Sequence, residues 1–364
     1  MTFNKYHDFL AILDNVNHCK LKKDKSICQC LTMLILQKMK YDLLGNIVIP
    51  KDIKNFNIPY MGSKNKIAVD LLREMLKVKP RAKYFYDLCG GGGSMSFTAS
   101  QLGLKTHYNE LQTSLVKFID YIFNRLEKGL KGQYGLFPDD FYKFIDREEF
   151  MKLKNEDSIK GQFARICYSF GNNQKDYLFG DIEKTKHLAY DIVMFRCEKS
   201  LKELNNLLGT DIKISNLPTW NERRLNFAKQ VKDRKYHEIE QLQRLEQLEQ
   251  LRQLQQLQQL QQLERLQPIF TTSNLSYKEV KIDTPIDETI IYIDPPYRNT
   301  AKYIEGKDFN YKELDQWFLD NKYTCFMSEY NAPHKVLFEI DKLSLFDNSK
   351  EKKKVVKEKL YINQ

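Results

Sequence analysis

The stretch T-I-I-Y-I-D-P-P-Y, residues 289–297, ends a β-branched and aromatic run on a carboxylate, two prolines and a tyrosine. These residue types suit one kind of chemistry, the activation of an amine whose lone pair is delocalised into an aromatic ring. Two acceptors that hold the two N–H protons draw the nitrogen toward tetrahedral geometry and release the lone pair. Asp294 offers one acceptor and the Pro295 carbonyl the other. Pro295 and Pro296 hold φ near about −65° and disfavour helix, so the carbonyl is kept pointing out of the strand end. Tyr297 adds a π-face on which a planar base can stack. Rate in such a site comes from proximity and preorganised acceptors, not from a strong base. The plainer reading is an acid before a proline turn.

A second cluster lies far upstream. D-L-C-G-G-G-G-S, residues 87–94, places Asp87 before four glycines that join a strand to a helix. Such a loop lets backbone amides approach a ligand and aims a helix N-terminus at it. It is not a P-loop, because no Gly-Lys-Ser/Thr follows, and the G-x-G-x-x-G fingerprint fails at Met95 and Ser96. Alone, the loop also fits a turn without a ligand. Glu110 follows at the end of the next strand, where a carboxylate can accept both hydroxyls of a ribose. Together with the loop it favours an adenosine-containing cofactor.

The elements around these residues alternate. A helix is expected from about Lys66 to Lys77, a buried strand over Tyr84–Leu88, a helix from Ser94, and a short strand ending at Glu110. Serial strand–loop–helix units predict an α/β fold with a parallel sheet and right-handed crossovers. After Pro268 the alternation resumes, with strands expected in N-L-S-Y-K-E-V-K-I (274–282), T-I-I-Y-I and Y-T-C-F-M-S-E-Y. A helix over 311–321 is capped by Asn310 with Glu313, and the C-terminal tail ends in an expected edge strand. Residues 131–240 lose this rhythm and read as an inserted domain. Residues 241–267 are low in complexity, with Leu at every third position from Leu242 to Leu266. In a helix each such Leu advances about 300°, so the stripe winds round the axis and predicts a helical insertion rather than a coiled coil.

Composition sets the outer bounds. Lys and Arg exceed Asp and Glu by 58 to 48, a formal charge of +10, which favours a polyanionic partner. Seven Cys at irregular spacing, with no signal peptide ahead of them, predict reduced thiols in a cytoplasm. Cys19, Cys28 and Cys30 with His18 match no zinc module, so no metal is expected. No apolar run approaches the roughly 20 residues of a membrane span.

D-P-P-Y at 294–297 resembles the catalytic motif of S-adenosylmethionine-dependent amino-group methyltransferases. Y-M-G-S-K at 60–64 resembles the N-terminal cofactor motif of the Dam-like DNA adenine-N6 methyltransferases. The order (cofactor motif, glycine loop, inserted recognition domain, DPPY) matches the alpha group of that family. The likeness covers about residues 57–130 and 270–364, with a weaker echo in A-R-I-C-Y-S-F-G-N-N-Q-K-D-Y-L-F-G. It implies a class I methyltransferase fold, a Rossmann-like mixed sheet with an inserted, mainly helical recognition domain. The catalytic domain would then span 57–130 and 268–364, the recognition domain 131–240, the repeat 241–267 and an N-terminal extension 1–56.

By the same likeness Tyr60, Lys64, Asp87, Gly91, Gly93 and Glu110 line the S-adenosylmethionine site, and Asp294, Pro295, Pro296 and Tyr297 face the target base. One residue departs: Cys89 stands where the family's loop usually carries Phe, which predicts a weaker aromatic contact with the cofactor. Arg165, Asn172, Asn173, Lys175, Arg223 and Arg224 are the expected contacts to double-stranded DNA. The expected protein is a cytoplasmic monomer, either paired with a restriction endonuclease or acting as an orphan or phage methylase. RNA or protein-glutamine methylation also uses the signature. A nicotinamide oxidoreductase would leave DPPY unexplained, and a non-catalytic DNA-binding protein would take up no cofactor.

Overall fold

The computed structural model describes residues 49, 53, 58–60, 62–180, 182–232, 248–261, 270–298, 309–343 and 355–364. The N-terminal extension with His18, Cys19, Cys28 and Cys30, apart from Ile49 and Ile53, lies outside the described residues, as do 241–247 and 262–267 of the repeat. Seven strands form one sheet: β1 (Tyr84–Asp87), β2 (Lys105–Asn109), β3 (Phe270–Ser273), β4 (Thr289–Ile293), β5 (Cys325–Glu329), β6 (Lys335–Leu343) and β7 (Val355–Ile362). Their order is β3-β2-β1-β4-β5-β7-β6. The first five are parallel, and β7 runs antiparallel to both β5 and β6. Every residue of β4 and β5 is buried, as expected for parallel strands covered on both faces.

The chain leaves β1 toward β2 in one direction and β4 toward β5 in the other, so the crevice between β1 and β4 is the topological switch point. α1 (Ala68–Val78) buries Ala68, Leu71, Leu72, Met75 and Leu76, one helical stripe, against Phe85, Ile290 and Tyr292. α2 (Ser94–Gln101) follows the glycine loop on that face. On the other face α10 (Tyr311–Asp320) sets Leu314 and Phe318 against Ile291, Ile293 and Met327. Asn310 caps α10 by accepting the Glu313 N–H at 3.2 Å.

Between β2 and β3 come α3 (Thr113–Glu127), α4 (Arg147–Leu153), α5 (Ile159–Tyr168), α6 (Glu183–Phe195), α7 (Glu198–Leu208), α8 (Trp220–Lys232) and α9 (Glu249–Gln259). They share one apolar cluster, reaching from Phe97 in α2 and Tyr108 in β2 to Leu260. The repeat contributes α9, packed against α5 and α8. Leu248, Leu251, Leu254, Leu257 and Leu260 are all at most 4% exposed, so the winding stripe is answered by a helix enclosed over most of its circumference. Among residues 250–261 only Arg252 and Gln259 are exposed.

Two expected strands are corrected. Residues 274–282 do not form one; β3 lies just before them. Asn274 binds the Glu110 and Leu111 carbonyls, and Ser276 and Glu279 close a turn, so local side-chain bonds displace the ladder. The C-terminal strand is not an edge: β6, whose charged alternation disguises it in the sequence, pairs along its outer side. No helix of the described residues is long and apolar enough to cross a membrane.

Candidate active site

Parallel register delivers the two motif acids to one edge of the sheet. Asp87 ends β1 opposite Tyr292, two residues before Asp294, and the Leu88 N–H donates to the Tyr292 carbonyl at 2.9 Å. Asp87 is 1% exposed and accepts the Ser96 hydroxyl at 2.7 Å through Oδ2, while its Oδ1 has no hydrogen-bond partner among the described residues. Burial pushes the Asp87 carboxyl up to about 7, aided by the charges of Asp294 and Glu110 and opposed by the Ser96 bond. A buried carboxylate oxygen with nothing on it at a switch point is a place for a ligand's donor.

The glycine loop is shaped by what presses on it. A Cβ at Gly90 would stand 2.2 Å from the Tyr108 ring, so only glycine fits over that fully buried tyrosine. Gly93 takes φ +75° as the residue before α2, where a side chain would be strained. Tyr60 lies across the loop, close enough that a Cβ at Gly91 would be 3.2 Å from its ring. Glu110, the residue after β2, holds the loop: Oε2 accepts the Gly91 N–H at 2.9 Å and Oε1 the Gln112 N–H at 3.0 Å. The Tyr108 hydroxyl donates to the Gly91 carbonyl at 2.8 Å. Cys89 is partly buried against the cluster that holds Tyr277, and burial with the surrounding carboxylates holds its thiol well above the usual range.

The DPPY side is organised by charge. The Lys64 ammonium, 2% exposed, pairs with Asp294 Oδ2 and lies 4.8 Å from the Tyr297 ring centroid. Tyr297 donates its hydroxyl to Glu358 and meets Tyr330 edge to face at 4.5 Å. Burial, with Asp294 and Glu358 nearby, raises the Tyr297 phenol well above its usual value, so it remains a donor. Pro295 is buried, and the Pro296 carbonyl accepts the Tyr311 hydroxyl at 3.0 Å. Next in sequence, the Arg298 N–H binds Glu329 at 3.0 Å and its guanidinium binds Asp315 at 2.6 Å, which also contacts the buried His334.

The structure therefore brings Tyr60, Lys64, Asp87, Gly91, Gly93, Glu110, Asp294, Pro295, Pro296 and Tyr297 to one edge. The expected DNA contacts divide. Arg165 is buried on Gln162 and the Lys154 and Glu156 carbonyls, and Arg223 on the Val193, Met194, Leu217 and Pro218 carbonyls. Both guanidiniums tie loops to helices, which takes them out of the DNA-facing set. Asn172, Asn173 and Lys175 sit on one surface loop, whose Asn172 and Gln174 have positive φ. Arg224 is partly buried against Asn221 and Gln255.

Sequence reasoning missed Ser96, Asn109, Arg298, Glu329 and Glu358. Asn109 joins the ends of three strands, donating to the Leu88 and Leu275 carbonyls and accepting from Ser273. Arg298 was within reach, since it directly follows the motif; Glu358 carries no local signal.

A family model described as D12 class N6 adenine-specific DNA methyltransferase matches residues 60–361. No curated protein matches the chain.

Proposed function

Because the chain belongs to the D12 class of N6 adenine-specific DNA methyltransferases, and so methylates adenine in DNA, we propose that its DPPY edge is the catalytic centre and its glycine loop the methyl-donor site. The single observation behind this is the convergence of Asp87 and Asp294 at the β1–β4 switch point, from motifs about 200 residues apart. S-adenosylmethionine is the donor we assign; when bound it supplies a methyl group on a sulfonium, a strong electrophile. The residues suit it: Asp87 keeps an oxygen for a cationic donor, Glu110 is a second carboxylate beside the loop, and the glycines let Tyr60 and Phe97 close against the loop backbone, where side chains would collide.

The target adenine leaves the helix stack at a cost of a few kcal/mol and stacks on Tyr297. Asp294 and the Pro295 carbonyl accept its two amine protons, so the nitrogen lone pair turns out of the ring. Lys64 pairs with Oδ2 of the Asp294 carboxylate and so fixes its direction. The proton shed after transfer leaves toward Asp294, the ionisable one of the two acceptors. Asn172, Asn173, Lys175 and Arg224 remain as candidate DNA contacts. The helices of 131–240, with the repeat adding α9, serve as the recognition domain, and the segments 57–130 and 268–364 as the catalytic domain. The chain acts either beside a restriction endonuclease or as an orphan, and cleavage of unmethylated but not methylated DNA by an extract of the source cells distinguishes the two.

The test is Asp294→Ala with labelled S-adenosylmethionine and adenine-unmethylated plasmid DNA. Transfer should fall by about a hundred- to a thousandfold, as when one preorganised hydrogen-bonding group is removed from an active site. An Asp294→Ala protein that methylates DNA at the parent rate would sink the assignment.

A further inference from the structure

Glu358 is an anomaly in β7. It is fully buried, on the same strand face as Leu360 and Ile362, which pack with Ile290, Tyr292 and Phe326. A carboxylate in such surroundings is unfavourable unless something there uses it. Because β7 runs antiparallel to β5, with Lys359 opposite Glu329, position 358 stands beyond the C-terminal ends of the parallel strands. That is the edge to which β1 and β4 bring Asp87 and Asp294. There Glu358 accepts the Tyr297 hydroxyl.

The ring of Tyr297 is thus held at three places. Tyr330 meets it edge to face, the Lys64 ammonium lies over it, and Glu358 holds the hydroxyl. The first two contacts leave the ring able to tilt about its side-chain torsions. A hydrogen bond at the para position, farthest from the backbone, removes that freedom. We propose that Glu358 is a positioning residue for methyl transfer: acting through the phenol, it sets the ring plane on which the target adenine stacks. This rests on the reading of Tyr297 as the stacking face.

The experiment is a mutant cycle on the full chain, with labelled S-adenosylmethionine and adenine-unmethylated plasmid DNA. Glu358→Leu suits the apolar strand face, so its melting temperature should hold or rise while kcat falls roughly tenfold, the size of a lost hydrogen bond to a charged group. KM for S-adenosylmethionine should not change, and Glu358→Gln should recover part of the rate. Tyr297→Phe should lose as much as Glu358→Leu, and the double variant no more than either, because both remove one bond. A Glu358→Leu loss that repeats in full on Tyr297→Phe overturns the inference, as does Tyr297→Phe at the parent rate. The latter comparison still decides if Glu358→Leu does not fold. Tyr297→Ala at the parent rate instead overturns the stacking reading itself, independently of Glu358.

Discussion

The glycine loop and the DPPY edge face each other across the β1–β4 crevice and are built on opposite plans. The loop is defined by space and backbone: Tyr108 below Gly90, Tyr60 above Gly91, and a left-handed residue at Gly93. One buried acid, Asp87, stands in it with little compensation. The DPPY edge is defined by ion pairs and hydrogen bonds to carboxylates, with the Lys64 ammonium on Asp294, the Arg298 guanidinium on Asp315, the Arg298 N–H on Glu329 and the Tyr297 hydroxyl on Glu358. A methyl donor needs a cradle of fixed shape, while an amine entering from DNA needs acceptors of fixed direction. On the proposed reading, the two halves meet these needs with different parts of the chain's chemistry.

The contrast can be broken most forcefully at Asp87. Burial pushes its carboxyl from the ordinary 3.8 up to about 7, so between those pH values the native state binds a proton that the unfolded chain does not. The stability linked to this proton is full below about pH 4 and is lost as pH rises toward 7. The shift amounts to on the order of 4 kcal/mol. Denaturant unfolding at steps between about pH 4.5 and about pH 8 should show this slope in the parent and lose it in Asp87→Asn. Equal slopes would mean that the loop end compensates its acid after all.

A steric test comes next. Gly90→Ala places a methyl group in the Tyr108 ring and should destabilise by about 3 kcal/mol, with donor binding lost in titration calorimetry. A normal melting temperature would show that the loop is not shaped by Tyr108. The smallest effect is expected at Lys64. Asp294 is 22% exposed, so solvent relieves part of the broken pair, and Lys64→Met should cost about 2 kcal/mol with reduced methyl transfer. Lys64→Arg should restore part of both. If Lys64→Met is as active as the parent, charge pairing does not organise the DPPY edge.

Much of the site is legible in local sequence because its chemistry is local. A carboxylate, a rigid carbonyl and an aromatic ring within four residues can only present one face, and four glycines after a strand predict a close ligand approach. The repeat at 241–267 was legible as helix, from composition and the winding of its leucines. Its place was not: α9 lies in the core between α5 and α8, and its glutamines reach the Asn172 loop and Arg224. Arg165 and Arg223 show the same limit from the other side. A basic residue in a polar stretch reads as surface until its carbonyl partners, up to 30 residues away, are known.

By itself, then, the sequence determined the motifs, the alternation of strand and helix, and the family, because each depends on neighbours along the chain. Only tertiary structure decided that β7 lies inside the sheet, that Lys64 faces Asp294, and that Glu358 meets Tyr297. Those contacts join residues 230 and 61 positions apart. They follow from strand order and direction, which no local spacing encodes.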